Sequence, residues 1–366
     1  MKHVFANKRI SAIVCVLPDK VVCYEDELED YNFPVRQSQM LGKMMDYNTR
    51  RQCEPTDSVS EYAKQGIQHL IDKGIIKKGE IDAIVVASSS QDYIMPSVSY
   101  ILQGQLDLRE DVYCCDIVQQ CGGYQFGLMQ SFMLMDTFGF KKVLLVTGEM
   151  TSKKVGLHDR NARPIIGDAV SVSVIEPAEN VKIYVDYRNY GQMADAIKIP
   201  AGGLKMPSTP ETAIETKDAS GNFRALDHFY MDGEGVFNFV MIHVPLMISD
   251  ILAQSGDTIN SIDYYMFHQP NKYMVDRLAD ELDIPSEKCF SNIVGIYGNA
   301  STATIPLNIC HNIAEQAQNR DLRLCLSGFG GGLTCNAIVL TNPKMDYCSI
   351  IDFNRSSVNP LNVTND

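Results

Sequence analysis

The chain has 366 residues, of which 45% are hydrophobic and 21% charged, so a disordered chain is excluded and one large or two medium domains are expected. A net charge of −13 argues against nucleic acid or an anionic membrane surface as a partner. The eleven cysteines form no CxxC pair and no Cys/His run at zinc-ligand spacing, which indicates reduced thiols in a cytoplasmic protein and no metal site.

An apolar run near the N-terminus, residues 10–17, follows two basic residues and superficially resembles a signal peptide. The run is short, and Pro18 follows it in place of a small-residue cleavage site. We interpret it as the first strand, and we expect no membrane insertion because no segment approaches the length of a membrane span. Residues 24–55 are polar and irregular, and predict loops and short helices.

The first half of the chain then alternates helical and β-branched patterns. Ser58 and Glu61 predict a capping box at the start of a helix, and Pro96 opens a second predicted helix over 97–106. Short runs rich in β-branched residues predict buried strands at 81–87, 112–118 and 143–147. Two further segments, 165–175 and 181–187, predict a pair of antiparallel strands.

The second half repeats this order of elements after a loop rich in Pro, Thr, Ser and Gly at 200–228. The recurring segments are 58–87 with 234–267, 143–148 with 322–326, and 170–175 with 334–340. Within the first of them, 234–254 predicts a helix. We therefore expect two related α/β halves, at 1–180 and 181–345, with strands covered by helices. Residues 346–366 are expected to form a surface tail.

Cys121 lies in the stretch around which the chain is organised. It follows a predicted strand and precedes Gly122, Gly123 and an apolar segment of four helical turns. A cysteine at the start of a helix points along the positive end of the helix dipole, which favours thiolate over thiol. The two glycines let a substrate approach the backbone closely. The alternative is a buried structural cysteine.

Three further stretches contain groups suited to catalysis. His268 in FHQPN ends a predicted buried strand, where α/β folds often place active-site groups. Asn299 in YGNAST offers an amide, and SGFGGGLT at 327–334 leaves a strand through four glycines. Alone, each has an ordinary alternative: a structural histidine, a turn residue and a tight strand connection.

Together these motifs resemble the β-ketoacyl-acyl-carrier-protein (ACP) synthase III branch of the thiolase-like condensing enzymes. The similar stretches are CGGYQFGL with Cys121, HQPN with His268, GNAST with Asn299, GFGGGLT, PS at 96–97, GEMTSK at 148–153, GDAVS at 167–171 and MDGEGVF at 231–237. The resemblance implies a thiolase-like fold, with two pseudo-repeated α/β halves in a five-layered αβαβα protomer, and a homodimer.

The resemblance also implies an activity, that of fatty acid or polyketide biosynthesis. Cys121 would take the acyl group from an acyl-CoA or acyl-ACP donor, and a malonyl thioester would then extend it by decarboxylative Claisen condensation. We expect an oxyanion hole formed by the backbone N–H groups of Cys121 and Gly332. His268 and Asn299 would hold the enolate, provided that His268 is neutral with its proton on the inward nitrogen. No metal or organic cofactor is needed, and substrate contacts are expected at Asn271, Gly233 and Met95.

The donor-recognition surface departs from the family pattern. Met44 stands where the family usually has an arginine that helps to bind the CoA nucleotide, and the chain has no tryptophan to stack on adenine. The helix after His268, residues 271–283, carries four acids against two bases, with Tyr273 where an arginine is usual. We therefore expect weak binding of an ordinary acidic carrier and a specialised rather than housekeeping pathway. Basic residues that would restore a carrier site if folding gathered them are Arg50, Arg51, Lys153, Lys154 and Lys205.

Two other functions stay open on the sequence. An acyltransferase on the same scaffold would pass the acyl group from Cys121 to a hydroxyl or amine, with His268 as a base. A non-catalytic subunit of a heterodimeric condensing enzyme is the other possibility. The intact set of Cys121, His268 and Asn299 argues against that second alternative.

Overall fold

The computed structural model describes residues 1–357. The strands, in chain order, are β1 (Lys2–Leu17), β2 (Val21–Cys23), β3 (Thr49–Arg51), β4 (Ala83–Ala87), β5 (Tyr113–Ile117), β6 (Val143–Glu149), β7 (Ala169–Asn189), β8 (Ile197–Lys198), β9 (Thr216–Lys217), β10 (Phe223–Arg224), β11 (Tyr230–Met231), β12 (Tyr264–Phe267), β13 (Leu322–Gly330), β14 (Thr334–Asn342) and β15 (Tyr347–Asp352). The α-helices are α1 (Val35–Met45), α2 (Val59–Asp72), α3 (Val98–Gln105), α4 (Gly123–Phe138), α5 (Gly233–Ser255), α6 (Lys272–Glu281), α7 (Val294–Tyr297), α8 (Thr304–Asn312) and α9 (Ala314–Asn319).

Within these residues, nine strands form one sheet that folds into two parts, because β1 and β7 are long enough to enter both. The first part has the order β5-β4-β6-β7-β1-β15; β4 is parallel to β5 and β6, and β7 is antiparallel to β6 and β1. The second part has the order β12-β13-β14-β7-β1. Residues 169–177 of β7 belong to the first part and residues 182–189 to the second.

Helices cover both parts of the sheet and fill the space between them. Helix α4 contacts β4 and β6 on one side and β13 and β14 on the other, and α8 contacts β1, β12 and β15. Helices α2 and α3 cover the outer face of the first part, and α5, with α6 against it, covers the outer face of the second. The layers follow the order αβαβα, which confirms the expected architecture.

The two halves repeat the same path through these layers. Helix α4 is followed by β6 and β7, and α8 is followed by β13 and β14. Division of the chain into halves at 1–180 and 181–345 stays a proposal, since residue 180 lies inside β7, whose two ends serve different parts of the sheet.

Local sequence explains why the central elements form where they do. Strand β4 is a continuous apolar run because helices cover both of its faces, and all five of its residues are buried. Helix α4 is apolar around its circumference because it lies between two sheet layers. The predicted capping box of α2 is confirmed: the Glu61 carboxylate accepts from the Ser58 N–H at 2.9 Å, and the Ser58 hydroxyl accepts from the Glu61 N–H.

Two sequence expectations are wrong. The segments 165–175 and 181–187 do not pair with each other, because 169–189 is one strand that pairs with β1 along both of its ends. The expected surface tail at 346–366 begins instead with β15, which lies parallel to β1 and completes the first part of the sheet. The end of that segment, 358–366, lies outside the described residues.

Helix α5 corrects a third expectation. The sequence was expected to contain no segment as long as a membrane span. Among residues 1–357, α5 alone is long and apolar enough to cross a membrane, judged by length and composition. Its buried side chains, Val240, Val244 and Ile248 among them, belong to the core cluster that also contains residues of β14. Asp250 on the same helix pairs with Arg188 of β7 at 2.5 Å. The apolar composition of α5 therefore reflects its place over the sheet.

Candidate active site

The three predicted catalytic side chains line one cavity. Its volume is about 1070 Å³, within the range of sites that hold organic ligands. Cys121 reaches it from the start of α4, His268 from the carboxyl end of β12, and Asn299 from the loop between α7 and α8. The fold thus brings together groups that are up to 178 residues apart in the sequence, the separation of Cys121 from Asn299.

Cys121 lies where the glycine-rich loop crosses the N-terminus of α4. A Cβ atom on Gly330 would lie 2.7 Å from the Cys121 Cβ, so only glycine fits at this position. The backbone N–H groups of Cys121 and Gly331 lie close enough to the thiol to lower its pKa, and the Ser301 hydroxyl lies 3.6 Å from Sγ. The expected N–H of Gly332 does not act on the thiol in this way, and the surroundings of Gly332 include Thr334. The oxyanion hole itself stays a prediction, with Gly331 as the second donor that the structure favours.

The environment of the thiol differs from the expectation. Burial raises the pKa of the Cys121 thiol, and the Glu149 carboxylate acts in the same direction. Hydrogen bonds from the Ser301 hydroxyl and the two backbone N–H groups oppose this rise without reversing it. The resting cysteine is thus a neutral thiol, and a thiolate has to be generated during the reaction.

His268 is buried and neutral. Burial lowers the pKa of the imidazole to about 3. Nδ1 lies 2.7 Å from the Thr304 hydroxyl oxygen, and that hydroxyl donates its proton to the Ser301 carbonyl at 2.9 Å. With the hydroxyl proton on that carbonyl, Nδ1 donates to Thr304 and Nε2 carries no proton, which is the tautomer that the proposed mechanism uses for acylation. A neutral imidazole was expected, and the lowered pKa agrees with it; the expected proton on the inward nitrogen stays a prediction.

Asn299 is oriented by its own loop. Its side-chain Oδ1 accepts from the Ser301 N–H at 2.9 Å, which leaves the Nδ2 donors without a partner among residues 1–357. The Asn299 N–H donates to the Ile165 carbonyl at 2.7 Å, which fixes the loop against the segment before β7. A Cβ on Gly167 would lie 2.1 Å from the Tyr297 carbonyl oxygen, so this close approach needs glycine.

The residues expected to contact substrate do not line the cavity. Asn271 caps α6, accepting from the Met274 N–H at 2.8 Å. Gly233 is the exposed first residue of α5, and the side chain of Met95 is 79% exposed in the loop before α3. Substrate contact at these positions stays a prediction.

Sequence reasoning missed a buried carboxyl group beside the cysteine. Glu149 ends β6 and is fully buried. Its oxygens accept from the Ser89 N–H at 2.8 Å, the Ser89 hydroxyl at 2.9 Å and the Ser90 hydroxyl at 2.6 Å. Burial raises its pKa to about 7, and nearby Asp168 adds to the rise. The available signal was an acid two residues after the predicted strand 143–147, in the stretch 148–153 that resembles the family.

The raised pKa of Glu149 predicts a pH-dependent stability. The folded protein holds this proton more tightly than the unfolded chain, so the stabilisation is complete below the usual value of 4.5 and is lost as the pH rises through about 7. The loss is about 3 kcal/mol at most. Glu149→Gln does not titrate, so its melting temperature relative to the unsubstituted protein should rise between about pH 5 and about pH 7.5 and then level off. Differential scanning calorimetry measures this, with exposed Glu234→Gln as the control; a flat difference would contradict it.

Comparison with known proteins places this site in a family. Residues 115–191 match the sequence profile of 3-oxoacyl-acyl-carrier-protein (ACP) synthase III, and residues 252–342 match the profile of its C-terminal part. A β-ketoacyl-acyl-carrier-protein synthase III of Levilactobacillus brevis is 30% identical over 294 residues, covering 80% of this chain and 86% of the relative. One of Chlamydia caviae is 29% identical over 295 residues, covering 80% and 84%.

Solved structures agree in fold. The crystal structure of a 3-oxoacyl-(acyl-carrier protein) synthase from Burkholderia xenovorans superposes with a TM-score of 0.89 at 27% identity, covering 96% of this chain and 99% of that one. The likeness therefore extends over nearly the whole chain. This chain belongs to the β-ketoacyl-ACP synthase III family of thiolase-like condensing enzymes.

Proposed function

We propose that the protein makes a 3-oxoacyl product in a specialised pathway, by acylation of Cys121 followed by decarboxylative condensation with a malonyl thioester. The observation that carries this proposal is the shared cavity, in which Cys121 lies under two backbone N–H donors beside His268 and the free amide of Asn299. Each step of the reaction has a group suited to it.

Acylation begins with the neutral thiol. Nε2 of His268 accepts the Cys121 proton as Sγ attacks the thioester carbonyl. The oxyanion of the tetrahedral intermediate accepts from the N–H groups of Cys121 and Gly331. When the intermediate collapses, the bond between the acyl carbon and the donor sulfur breaks, the acyl–Sγ bond remains, and His268 passes the proton to the departing sulfur, so the donor leaves as a thiol.

Condensation then starts from the acylated cysteine and a neutral His268. Loss of CO₂ from the malonyl thioester breaks a C–C bond and leaves an electron pair in an enolate, whose oxygen accepts from Nδ2 of Asn299 and from Nε2 of His268 in the tautomer with its proton there. The enolate carbon attacks the acyl group and forms the new C–C bond. Cys121 leaves as a thiolate and takes a proton from solvent, which restores the resting state.

The acyltransferase alternative shares the first step. Unprotonated Nε2 of His268 could equally take a proton from an acceptor hydroxyl or amine. Asn299 favours condensation over simple acyl transfer. Acyl transfer forms one anion, the oxyanion of the tetrahedral intermediate, and the N–H groups of Cys121 and Gly331 already bind it. The free Nδ2 donors of Asn299 have an anion to bind only in condensation, which forms an enolate as well.

Charges on the surface support a specialised donor. In α6, Lys272 pairs with Asp276 at 2.6 Å and Arg277 lies 3.8 Å from Asp280, so both bases are neutralised within the helix. Arg50 pairs with Glu27 instead of joining a surface patch. A carrier that docks on α6 would therefore meet net negative charge.

Exposed apolar side chains support the proposed homodimer. Strand β5 forms an edge of the sheet, which leaves backbone groups free to pair with a second strand. Tyr113 on this strand contacts Phe138, whose side chain is 58% exposed, and Val118 just after the strand is 70% exposed. A second copy of the chain would cover this surface.

Acylation is expected at Cys121 alone. Incubation with a panel of acyl-CoA and acyl-ACP thioesters, followed by peptide mapping, should place the adduct on Cys121, and Cys121→Ala should carry none. An adduct on Cys114 or Cys115 with Cys121 unmodified would refute the nucleophile assignment.

Asn299→Ala should separate the two half-reactions. Acylation of Cys121 should persist, whereas malonyl decarboxylation should slow by roughly two orders of magnitude, because one of two enolate donors is lost. CO₂ release and intact mass measure the two steps. Asn312→Ala, which removes an amide from a network outside the cavity, is the matched control. Undiminished CO₂ release in Asn299→Ala would favour the acyltransferase.

Thr304 should act by fixing the tautomer of His268. Thr304→Val removes the acceptor for Nδ1–H and should slow acylation about tenfold at neutral pH, since part of the population then has Nε2 protonated. Thr304→Ser keeps the hydroxyl and should restore the rate. Equal rates in the two variants across the pH profile would show that the hydroxyl does not set the tautomer.

A further inference from the structure

The wall of the cavity beside Cys121 is polar. It is formed by the loop after β4 and the residue before the cysteine, namely Ser89, Ser90, Gln91, Asp92 and Gln120. This wall is close to the nucleophile, because Gln120 precedes Cys121 directly and the carboxyl group behind Ser89 and Ser90 acts on the Cys121 thiol. An acyl group attached to Cys121 enters the cavity of which this wall is a part.

Glu149 holds the two serines in fixed orientations. Both hydroxyls donate to its carboxylate, at 2.9 Å for Ser89 and 2.6 Å for Ser90. The Ser90 oxygen also accepts from the Met150 N–H at 3.0 Å. A fully buried carboxyl group is expensive to retain, and three donated hydrogen bonds offset that cost. The serine oxygens are thus locked as acceptors toward the cavity.

Hydrogen-bonding capacity remains on this wall. The Ser89 hydroxyl oxygen accepts no hydrogen bond from residues 1–357, and the Gln120 side chain has no hydrogen-bond partner among them. The Gln120 Oε1 lies over the glycine-rich loop, 2.2 Å from where a Cβ on Gly331 would be. An unsubstituted alkyl chain would displace water from Ser89 and Gln120 and form no hydrogen bond in its place. A hydroxyl group on the chain would replace the lost hydrogen bond.

We infer that Ser89, Ser90 and Gln120, held by Glu149, form a binding site for a hydroxyl on the acyl chain, so that the preferred donor is a hydroxyacyl thioester rather than an alkanoyl thioester. This inference rests on the proposed function, since it concerns the acyl group that Cys121 receives. Ser89 accepts the hydroxyl proton and the Gln120 amide donates to its oxygen. Selectivity arises from the hydrogen bonds that the unsubstituted chain cannot make.

Two thioesters that differ by one hydroxyl test this. Intact-mass kinetics should show Cys121 acylated about tenfold faster or more by 3-hydroxybutyryl-CoA, in one enantiomer, than by butyryl-CoA. In Ser89→Ala and Glu149→Gln the ratio should fall toward one. Ser220→Ala is the matched control, because it removes a serine–carboxylate hydrogen bond of similar length, 2.6 Å to Asp218, outside the cavity. It should keep the ratio.

The outcomes separate this inference from the function on which it rests. Equal rates with both thioesters, a preference for butyryl-CoA, or a ratio that survives in both variants would overturn the hydroxyl site and leave the condensing enzyme intact. No adduct on Cys121 with any acyl-CoA or acyl-ACP thioester would overturn both. Melting temperatures of the variants confirm that a changed ratio does not come from unfolding.

Discussion

The close approach of the glycine-rich loop to the start of α4 is the constraint on which the site depends. Gly330 leaves no space for a side chain over Cys121, and this contact brings the Gly331 N–H to the thiol. It joins the two parts of the sheet, since the loop leaves β13 in one part and the strand before Cys121 lies in the other. A displacement of either part would separate the two N–H groups to which the proposed mechanism assigns the oxyanion.

Burial sets the charge state of the whole site. It lowers the pKa of His268 and raises those of Cys121 and Glu149, so the resting cavity holds a neutral imidazole and a neutral thiol. In the proposed reaction His268 takes the proton of Cys121 during acylation and passes it to the departing donor sulfur. That proposal assigns the Nδ1 proton to Thr304, which leaves Nε2 open to accept.

Sequence patterns predicted the helices and strands that are marked by their own hydrophobic residues. They missed the features that depend on a partner far away in the chain. Helix α5 and the strands β5 and β6, on either side of Cys121 in the chain, could be predicted from the pattern of their own residues. Strand β15 does not, because its partner β1 is more than 300 residues away in the chain. Strand β7 was predicted as two segments because Pro177 and Asn180, the latter with φ of 61°, interrupt its pattern where the strand passes between the parts of the sheet.

The same limit applies to the site. Cys121, His268 and Asn299 could be predicted because each lies in a distinctive motif at an element boundary. Three consecutive glycines look alike in sequence, so the choice between Gly331 and Gly332 needed the path of the backbone. The contact between His268 and Thr304 could not be predicted, because only folding brings the two side chains together.

The central claim is that the acyl group of Cys121 forms a new carbon–carbon bond. The most direct measurement supplies an acyl thioester and a malonyl thioester labelled with ¹³C at C2, and follows product and CO₂ by mass spectrometry. We expect a 3-oxoacyl thioester that retains the labelled carbon, with one CO₂ released for each product molecule. Transfer of the acyl group to a hydroxyl or amine, without release of CO₂, would contradict the claim.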